Sequence, residues 1–356
     1  MLHVRVVTDL AALQAQVGAW QELARDAAEP NPFYEPWMLL PALQAFGRGA
    51  DLRFLFLYEG RALVGFIPLE RAWLYRRVPL PHRRLWKYPH CYLGTPLVRR
   101  GYAPQCLQAL AEWLEHDIVY WREVGADGPF AVALDEAAGR LRLSPYRRGR
   151  AVLRRRRDAD AYLAEALPGP SRKELRRLAR RLAEQGKLGV RGGFDADAFL
   201  RLEAAGWKGR NASAFASSRA AEVFFRRMMS AAQREGRLMT LALELDGQPV
   251  ALKCNLLAGE GAFAFKIAYD ERYARFSPGL LLEVENIRVF HASTLEWMDS
   301  CAEPEHFMMN RLWLDRRPLV DLVAATGRRE FLMSSLSLLQ RLWRGRRTAA
   351  PASAVT

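Results

Sequence analysis

At 356 residues the chain is long for one hydrophobic core and comfortable for two domains. Half of it is apolar and 26% charged, the balance of a soluble globular protein. Its 53 Lys and Arg against 39 Asp and Glu leave a net charge of +14, nearly all from arginine, which suits a basic solvated surface, an anionic substrate, a nucleic acid such as tRNA or an anionic membrane. Cys91, Cys106, Cys254 and Cys301 are scattered without a C-x-x-C pair, and six histidines are equally dispersed. That argues against a disulfide framework, a structural zinc site or a metal cluster, and fits a reducing cytoplasm. Residues 1–25 lack the continuous apolar core of a signal peptide, and no apolar run reaches the roughly 18–20 residues a membrane span needs. The expectation is a soluble cytoplasmic protein.

In chain order, Leu10–Arg25 reads as an amphipathic helix, followed by the aromatic stretch Phe33-Tyr-Glu-Pro-Trp37. Leu55–Phe66 alternates about an acidic-glycine turn at Gly60, the form of a β-hairpin. An Arg-, Pro- and aromatic-rich run, Arg71–Tyr92, then leads to a helix over Ala103–Glu115. After the basic run Arg147–Arg157, Ser171 with Glu174 three residues on predicts a capping-box helix that stops at Gly186. Leu175, Leu178 and Leu182 would pack while its arginines face solvent or a polyanion. Ala220–Arg234 is a second amphipathic helix, and Ala242–Lys253 a second hairpin about Gly247. Phe331–Trp343 reads as an amphipathic helix, docked on the core or lying on an anionic membrane. The tail Ala349–Thr356 is expected to be disordered.

Helix, hairpin, strand and helix thus occur twice in the same order, which points to two copies of one α/β module. The boundaries expected are 1–150 for a degenerate, substrate-shaping lobe and 151–190 for a basic linker with its helix. A cofactor-binding lobe would occupy 191–330, and a helix with a tail 331–356.

The two copies differ in one place. Only in the second does a strand, Phe263–Asp270, run through a basic loop, Glu271–Gly279, straight into a helix, Leu280–Arg288. A helix start of this kind presents free N–H groups and a positive dipole end to an anion. Arg275 adds charge, and Gly279 permits close approach of the backbone.

The residues Glu203-Ala-Ala-Gly-Trp207-Lys208-Gly209, Phe265-Lys266-Ile-Ala-Tyr269-Asp270, Tyr273-Ala-Arg275-Phe-Ser277-Pro278-Gly279, Glu285, Asp299 and Leu312-Trp313 resemble the GNAT acyltransferases. Within that superfamily the chain is similar to the tandem branch of CelD-like, cellulose-biosynthesis-associated acetyltransferases, and more distantly to the Fem peptidyltransferases. Trp20 and Asn31–Trp37 carry the resemblance in the first half, and it spans most of Leu10–Asp321. It implies an α/β (α+β) fold of two tandem GNAT-like lobes, each a mixed central sheet flanked by helices. The usual pyrophosphate loop, Arg/Gln-x-x-Gly-x-Gly/Ala, is present here as Arg275-Phe-Ser-Pro-Gly279-Leu, with one arginine and one glycine kept.

What the resemblance implies chemically is transfer of an acyl group, acetyl above all, from acyl-CoA to an amine or sugar-amine by direct attack, without a metal. Arg275, Phe276, Ser277, Pro278, Gly279 and Leu280 would hold the cofactor. Lys266, on the strand before the loop, matches the Fem-like lysine that stabilises charge at the reacting carbonyl. A lysine inside an apolar strand is also costly unless it faces a polar cleft or has a partner. Asp270 could accept a proton or cap a turn. Glu285 could face the cleft or solvent, and Asp299 sits where ligands meet open α/β sheets. Trp207 and Lys208 would wall the acceptor cleft opposite Trp37 and Phe33, with Tyr269, Tyr273 or water as proton donor. Alternatives are a Fem-like aminoacyl-tRNA donor, using the basic helix Ser171–Gly186, and a non-catalytic binding protein of polysaccharide or envelope synthesis.

Overall fold

The structure is a computed structural model that describes residues 1–75, 78–115, 117–138 and 142–325. The helix expected over 331–343 and the tail 349–356 lie outside the described residues.

The first half comprises β1 (His3–Val7), α1 (Leu10–Gln14), α2 (Val17–Arg25), α3 (Pro36–Phe46), β2 (Leu52–Glu59), β3 (Ala62–Tyr75), β4 (Val78–Leu85), β5 (Leu97–Val98), α4 (Ala103–Leu114), β6 (Ile118–Gly125), α5 (Pro129–Ala138) and β7 (Arg142–Arg154). Next come α6 (Ala159–Ala166), α7 (Gly169–Ala183), β8 (Leu188–Gly192), α8 (Ala196–Ala205), α9 (Trp207–Arg210) and α10 (Arg219–Arg234). The chain closes with β9 (Leu238–Leu245), β10 (Gln248–Ala258), β11 (Gly261–Tyr269), α11 (Pro278–Ala292), β12 (Trp297–Asp299), α12 (Phe307–Leu312) and β13 (Asp315–Ala325). Both expected hairpins are present, β2–β3 and β9–β10, and so is the expected mixed sheet flanked by helices.

The thirteen strands among the described residues join one sheet, in the order β1-β2-β3-β4-β6-β13-β7-β12-β11-β10-β9-β8, with β5 on β3. The halves exchange their last strands. β7 pairs with β12 of the second half, Leu153 opposite Met298, while β13 pairs with β6 of the first, Leu319 opposite Gly125. β7 and β13 also pair with each other. The boundary expected at residue 150 therefore falls inside a strand, and each half completes the other's sheet.

On one face of the sheet Trp20, Phe33, Phe54 and Phe66 share a continuous core with Phe224, Phe225, Phe263 and Phe265, so helices of both halves close over that face together. Fully burying each such ring contributes roughly 1.5–3 kcal/mol. On the opposite face the cores are separate, one under α4 and α5, the other under α6, α7 and α11.

Helix α7 buries Leu175, Leu178 and Leu182, as expected, but begins at Gly169 with Pro168 as its N-cap. The capping box is not made: Glu174 instead accepts from Arg177 at 2.7 Å, and the helix ends at Ala183, short of Gly186.

Candidate active site

Each half contains one pair of parallel strands that start together and then diverge. In the second half β11 pairs with β12 only from Gly261 opposite Trp297 to Phe263 opposite Asp299. Beyond Phe263, β11 runs on to Tyr269 with its other side bonded to β10. Asp270 N–H donates to Val250 O at 2.9 Å, so by antiparallel alternation the N–H and C=O of Ile267 and Tyr269 point away from β10, into the gap.

A cavity of about 470 Å³ lies against this open edge. Its floor is Ile267, Ala268 and Tyr269; one wall is Glu203, Trp207 and Lys208, and the other is His306, Phe307 and Arg311. Its end is closed by Ser277, Pro278, Gly279 and Leu280, where α11 begins. Ser277 takes a left-handed conformation (φ 52°), which turns the chain from the 3-10 turn Glu271–Phe276 into α11. A Cβ on Gly279 would stand 3.4 Å from Tyr269, so the bare backbone widens the cleft there.

Lys208 Nζ donates to Ile267 O at 3.0 Å and to Glu203 Oε1 at 3.1 Å, and Glu203 Oε2 accepts from Phe215 N–H at 2.9 Å. Burial lowers the Lys208 pKa against the opposing pull of Glu203. Among the described residues Arg311 and the Tyr269 hydroxyl have no hydrogen-bonding partner, and both line the cavity.

Residues 170–308 match the family model of the acetyltransferase (GNAT) domain. These residues form a GNAT domain. No curated protein sequence matches the chain at a significant level. Solved structures similar to it across its length include FemX, 10% identical with a TM-score of 0.57 over 90% of this chain and 96% of that one. A conserved protein of unknown function from Bacteroides thetaiotaomicron VPI-5482 has a TM-score of 0.57 at 11% identity, over 92% of this chain and all of that one. The C-terminal domain of a putative lysylphosphatidylglycerol synthetase from Agrobacterium fabrum gives 0.55 at 13% identity, over 92% and 95%. At such identities the likeness is one of fold. The match over residues 170–308 supports an acyltransferase.

Within the GNAT domain the residues expected at the site separate into two groups. Ser277, Pro278, Gly279, Leu280, Trp207, Lys208 and Tyr269 meet in the cleft. Phe276 is 2% exposed and belongs to the core, with Arg275 stacked outside it at 4.7 Å, so neither lines the cavity. Asp270 is a turn cap: it accepts from Arg272 N–H at 3.0 Å and pairs with the Arg272 guanidinium, which holds its carboxyl below the usual range. Glu285 pairs with Arg288, away from the cleft. Asp299 is fully buried between Arg150 (3.5 Å) and Arg317 (3.4 Å) and also accepts from Cys301 N–H, an ionic clasp joining β12 to β7 and β13. Phe33 is core, against Tyr92, Phe263 and Phe265, and Trp37 lines a different groove beside α10.

Lys266 does not line the cavity. A bulge between the register pairs Cys254–Lys266 and Asn255–Ala264 inserts one residue, so Phe265 and Lys266 face the same way. The ammonium is caged by Phe215 (5.2 Å), Tyr92 (5.4 Å) and Phe265 (5.8 Å), and among the described residues it has no hydrogen-bonding or ion-pair partner. Burial lowers its pKa, with Glu203 acting in the opposite direction.

The internal repeat extends to this lysine. Arg83 opposite Val119 in the first half corresponds to Gly261 opposite Trp297 in the second. Counting on from each pair, and allowing for the bulge, Lys87 falls at the position of Lys266. Glu123 and Cys301, each four residues past the first paired residue of its strand, Val119 and Trp297, both take φ 53°. There the likeness stops. Lys87 is ion-paired with Glu123, which also holds Arg148, and the edge of β6 is occupied by the chain itself. Gly94 N–H donates to Glu123 O, and Gly125 N–H to Thr95 Oγ1. The gap that is open in the GNAT domain is filled in the first half.

Glu203, His306 and Arg311 were not singled out as site residues from sequence. Glu203 stood only as part of the Glu203–Gly209 resemblance. His306 caps α12 and Arg311 lies on it, and six residues give too short a period to orient.

Proposed function

We propose that the chain is an N-acyltransferase that takes an acyl group, acetyl above all, from acyl-coenzyme A and passes it to an amine or sugar-amine. The observation that carries this reading is the unpaired edge of β11 facing the start of α11 across one cavity. The residues present fit such a donor. The edge groups of Ile267 and Tyr269 offer strand-like hydrogen bonds to an extended amide arm. The helix start at Gly279 and the unpartnered Arg311 offer positive charge for a diphosphate.

In this reading Lys208, fixed at the Ile267 carbonyl, and the Ile267 N–H stabilise negative charge that develops on the acyl oxygen. Glu203 takes a proton from the attacking amine as the C–N bond forms. The free Tyr269 hydroxyl returns one to the thiolate released when the C–S bond breaks. Lys266, in its cage, sets the charge of the space between the lobes through which the amine enters, and the filled first lobe shapes that entrance.

Direct transfer is supported by the thiols. All four cysteines are buried, and burial raises Cys91 to about 11 and Cys106 and Cys254 to about 12, with Cys301 also well above its ordinary value. None is a ready thiolate nucleophile.

The test is release of free CoA thiol from acetyl-CoA by the purified protein across a panel of amino sugars, amino acids and polyamines. Amine-dependent thiol release supports the reading. Folded protein that neither binds nor consumes acetyl-CoA with any amine contradicts it.

A further inference from the structure

A second cavity, of about 350 Å³, lies on the outer face of the second half, between α6, α7 and α11. Its floor is aliphatic, made by Leu163, Leu167, Leu175 and Val284, and its rim carries Arg172, Arg176 and Arg288 against a single acid, Asp160. Arg172 Nε is buried with no hydrogen-bond partner. Neither Arg172 nor Arg176 has an ion-pair or hydrogen-bond partner in its side chain among the described residues, and Arg288 holds only Glu285. Guanidinium groups grouped over an apolar floor, one with a buried unsatisfied N–H, match an anion that carries an aliphatic part.

The cavity continues into a larger basic surface. Helix α7 carries six cations, Arg172, Lys173, Arg176, Arg177, Arg180 and Arg181, against one acid, Glu174. Only Arg177 is neutralised, by that acid, while Lys173 and Arg180 have no partner among the described residues. At its C-terminal end Arg181 lies over the Phe276 ring at 5.9 Å, and Arg275 lies over the same ring at 4.7 Å. The surface therefore reaches the loop that enters the acyl-transfer cleft at Ser277.

We propose that the α7 face and this cavity form a docking surface for an anionic phospholipid bilayer, the cavity taking one phosphate headgroup and the start of its glycerol ester. The aliphatic floor favours lipid over nucleic acid, because no aromatic ring lines the cavity to stack a base. Docking sets the cleft mouth beside the membrane while leaving the chemistry of the cleft unaltered.

The test uses the full chain with phosphatidylcholine vesicles, with and without phosphatidylglycerol, and two paired variants, Arg172→Gln with Arg176→Gln and Lys173→Gln with Arg180→Gln. Thermal melting first establishes that both fold. Wild-type protein sediments with the phosphatidylglycerol vesicles and not with phosphatidylcholine alone, and each charge removed lowers partitioning about five-fold. Soluble dihexanoyl-phosphatidylglycerol separates the cavity from the face: it binds wild type and the Lys173/Arg180 variant, and the Arg172/Arg176 variant loses it. Vesicle binding that is absent, or equal in all three proteins, overturns the proposal. Retention of tRNA without vesicle binding reassigns the surface to nucleic acid, and inorganic phosphate binding as tightly as the lipid reduces the cavity to a phosphate site. Both outcomes overturn it. Thiol release with soluble amines is unchanged in both variants, so failure here leaves the acyltransferase reading standing.

Discussion

Lys208 Nζ donates to the carbonyl oxygen of Ile267 at 3.0 Å, fastening the α9 segment to the unpaired edge of β11. Glu203 holds the same ammonium at 3.1 Å, so the cleft contains a cation whose position is fixed from both sides before any ligand arrives. Preorganised charge of this kind is worth most where negative charge develops.

Lys208→Met removes that charge with little change in side-chain length. It is expected to lower kcat by about 10²–10³, with the affinity for CoA nearly unchanged. Steady-state kinetics beside a CoA titration checks this. Equal loss of kcat and of CoA affinity would make Lys208 a binding residue instead.

Glu203→Gln keeps an acceptor for Phe215 N–H and removes the base. The expected loss is about 10²–10⁴ in kcat, partly recovered at alkaline pH where more of the amine is already unprotonated. A pH profile of the variant, taken with the same amine as the wild type, reads this out.

Asp299 is held by Arg150 and Arg317 where the exchanged strands meet. Removing its charge leaves two arginines uncompensated in the interior, at a cost of about 3–5 kcal/mol. Asp299→Asn is therefore expected to shift urea unfolding strongly while the folded fraction keeps its kcat. Loss of kcat with unaltered stability would put Asp299 in the chemistry.

His90 packs on Phe215 at 4.4 Å, and burial, with Lys266 and Lys208 nearby, pushes its pKa down to about 3. The unfolded chain binds this proton near pH 6.5 and the folded chain does not. Stability from this group is complete above about pH 6.5 and falls as the pH drops toward 3, by up to about 1.4 kcal/mol per unit. Asn tolerates the positive φ of this position (76°). Thermal melts between pH 7 and 5 should therefore fall less steeply for His90→Asn than for wild type. Parallel curves would contradict the assignment.

The hairpins, the repeat and the loop entering α11 were legible in sequence because each has a local cause: strand alternation, a glycine turn, or a Pro-Gly helix start. The exchange of β7 and β13 has no local signal, since a strand's alternation says nothing of which lobe supplies its neighbour. Helix α11 shows the same limit for single residues. It is buried on most sides, so Glu283 and Glu285 could not be ranked by period. The buried one is Glu283, paired with Lys253 at 2.8 Å from a strand distant in sequence. Lys266 stood out as a lysine in an apolar strand, but the bulge that sets which way it faces depends on the register of β10 against β11. Asp270 and Asp299 were read by position along the strand; Asp270 is taken up by its sequence neighbour Arg272, and Asp299 by Arg150 and Arg317, of which Arg150 is brought near only by the fold.

The most direct measurement is isothermal titration of the purified protein with CoA and acetyl-CoA, beside Arg311→Ala and Arg275→Ala. The account predicts micromolar binding that Arg311→Ala weakens by about ten-fold, the loss of one charge-assisted contact of about 1.5 kcal/mol. Arg275→Ala, whose side chain lies outside the cavity, should change it far less. No binding by a folded protein, or a loss confined to Arg275→Ala, would contradict the placement of the donor in this cleft.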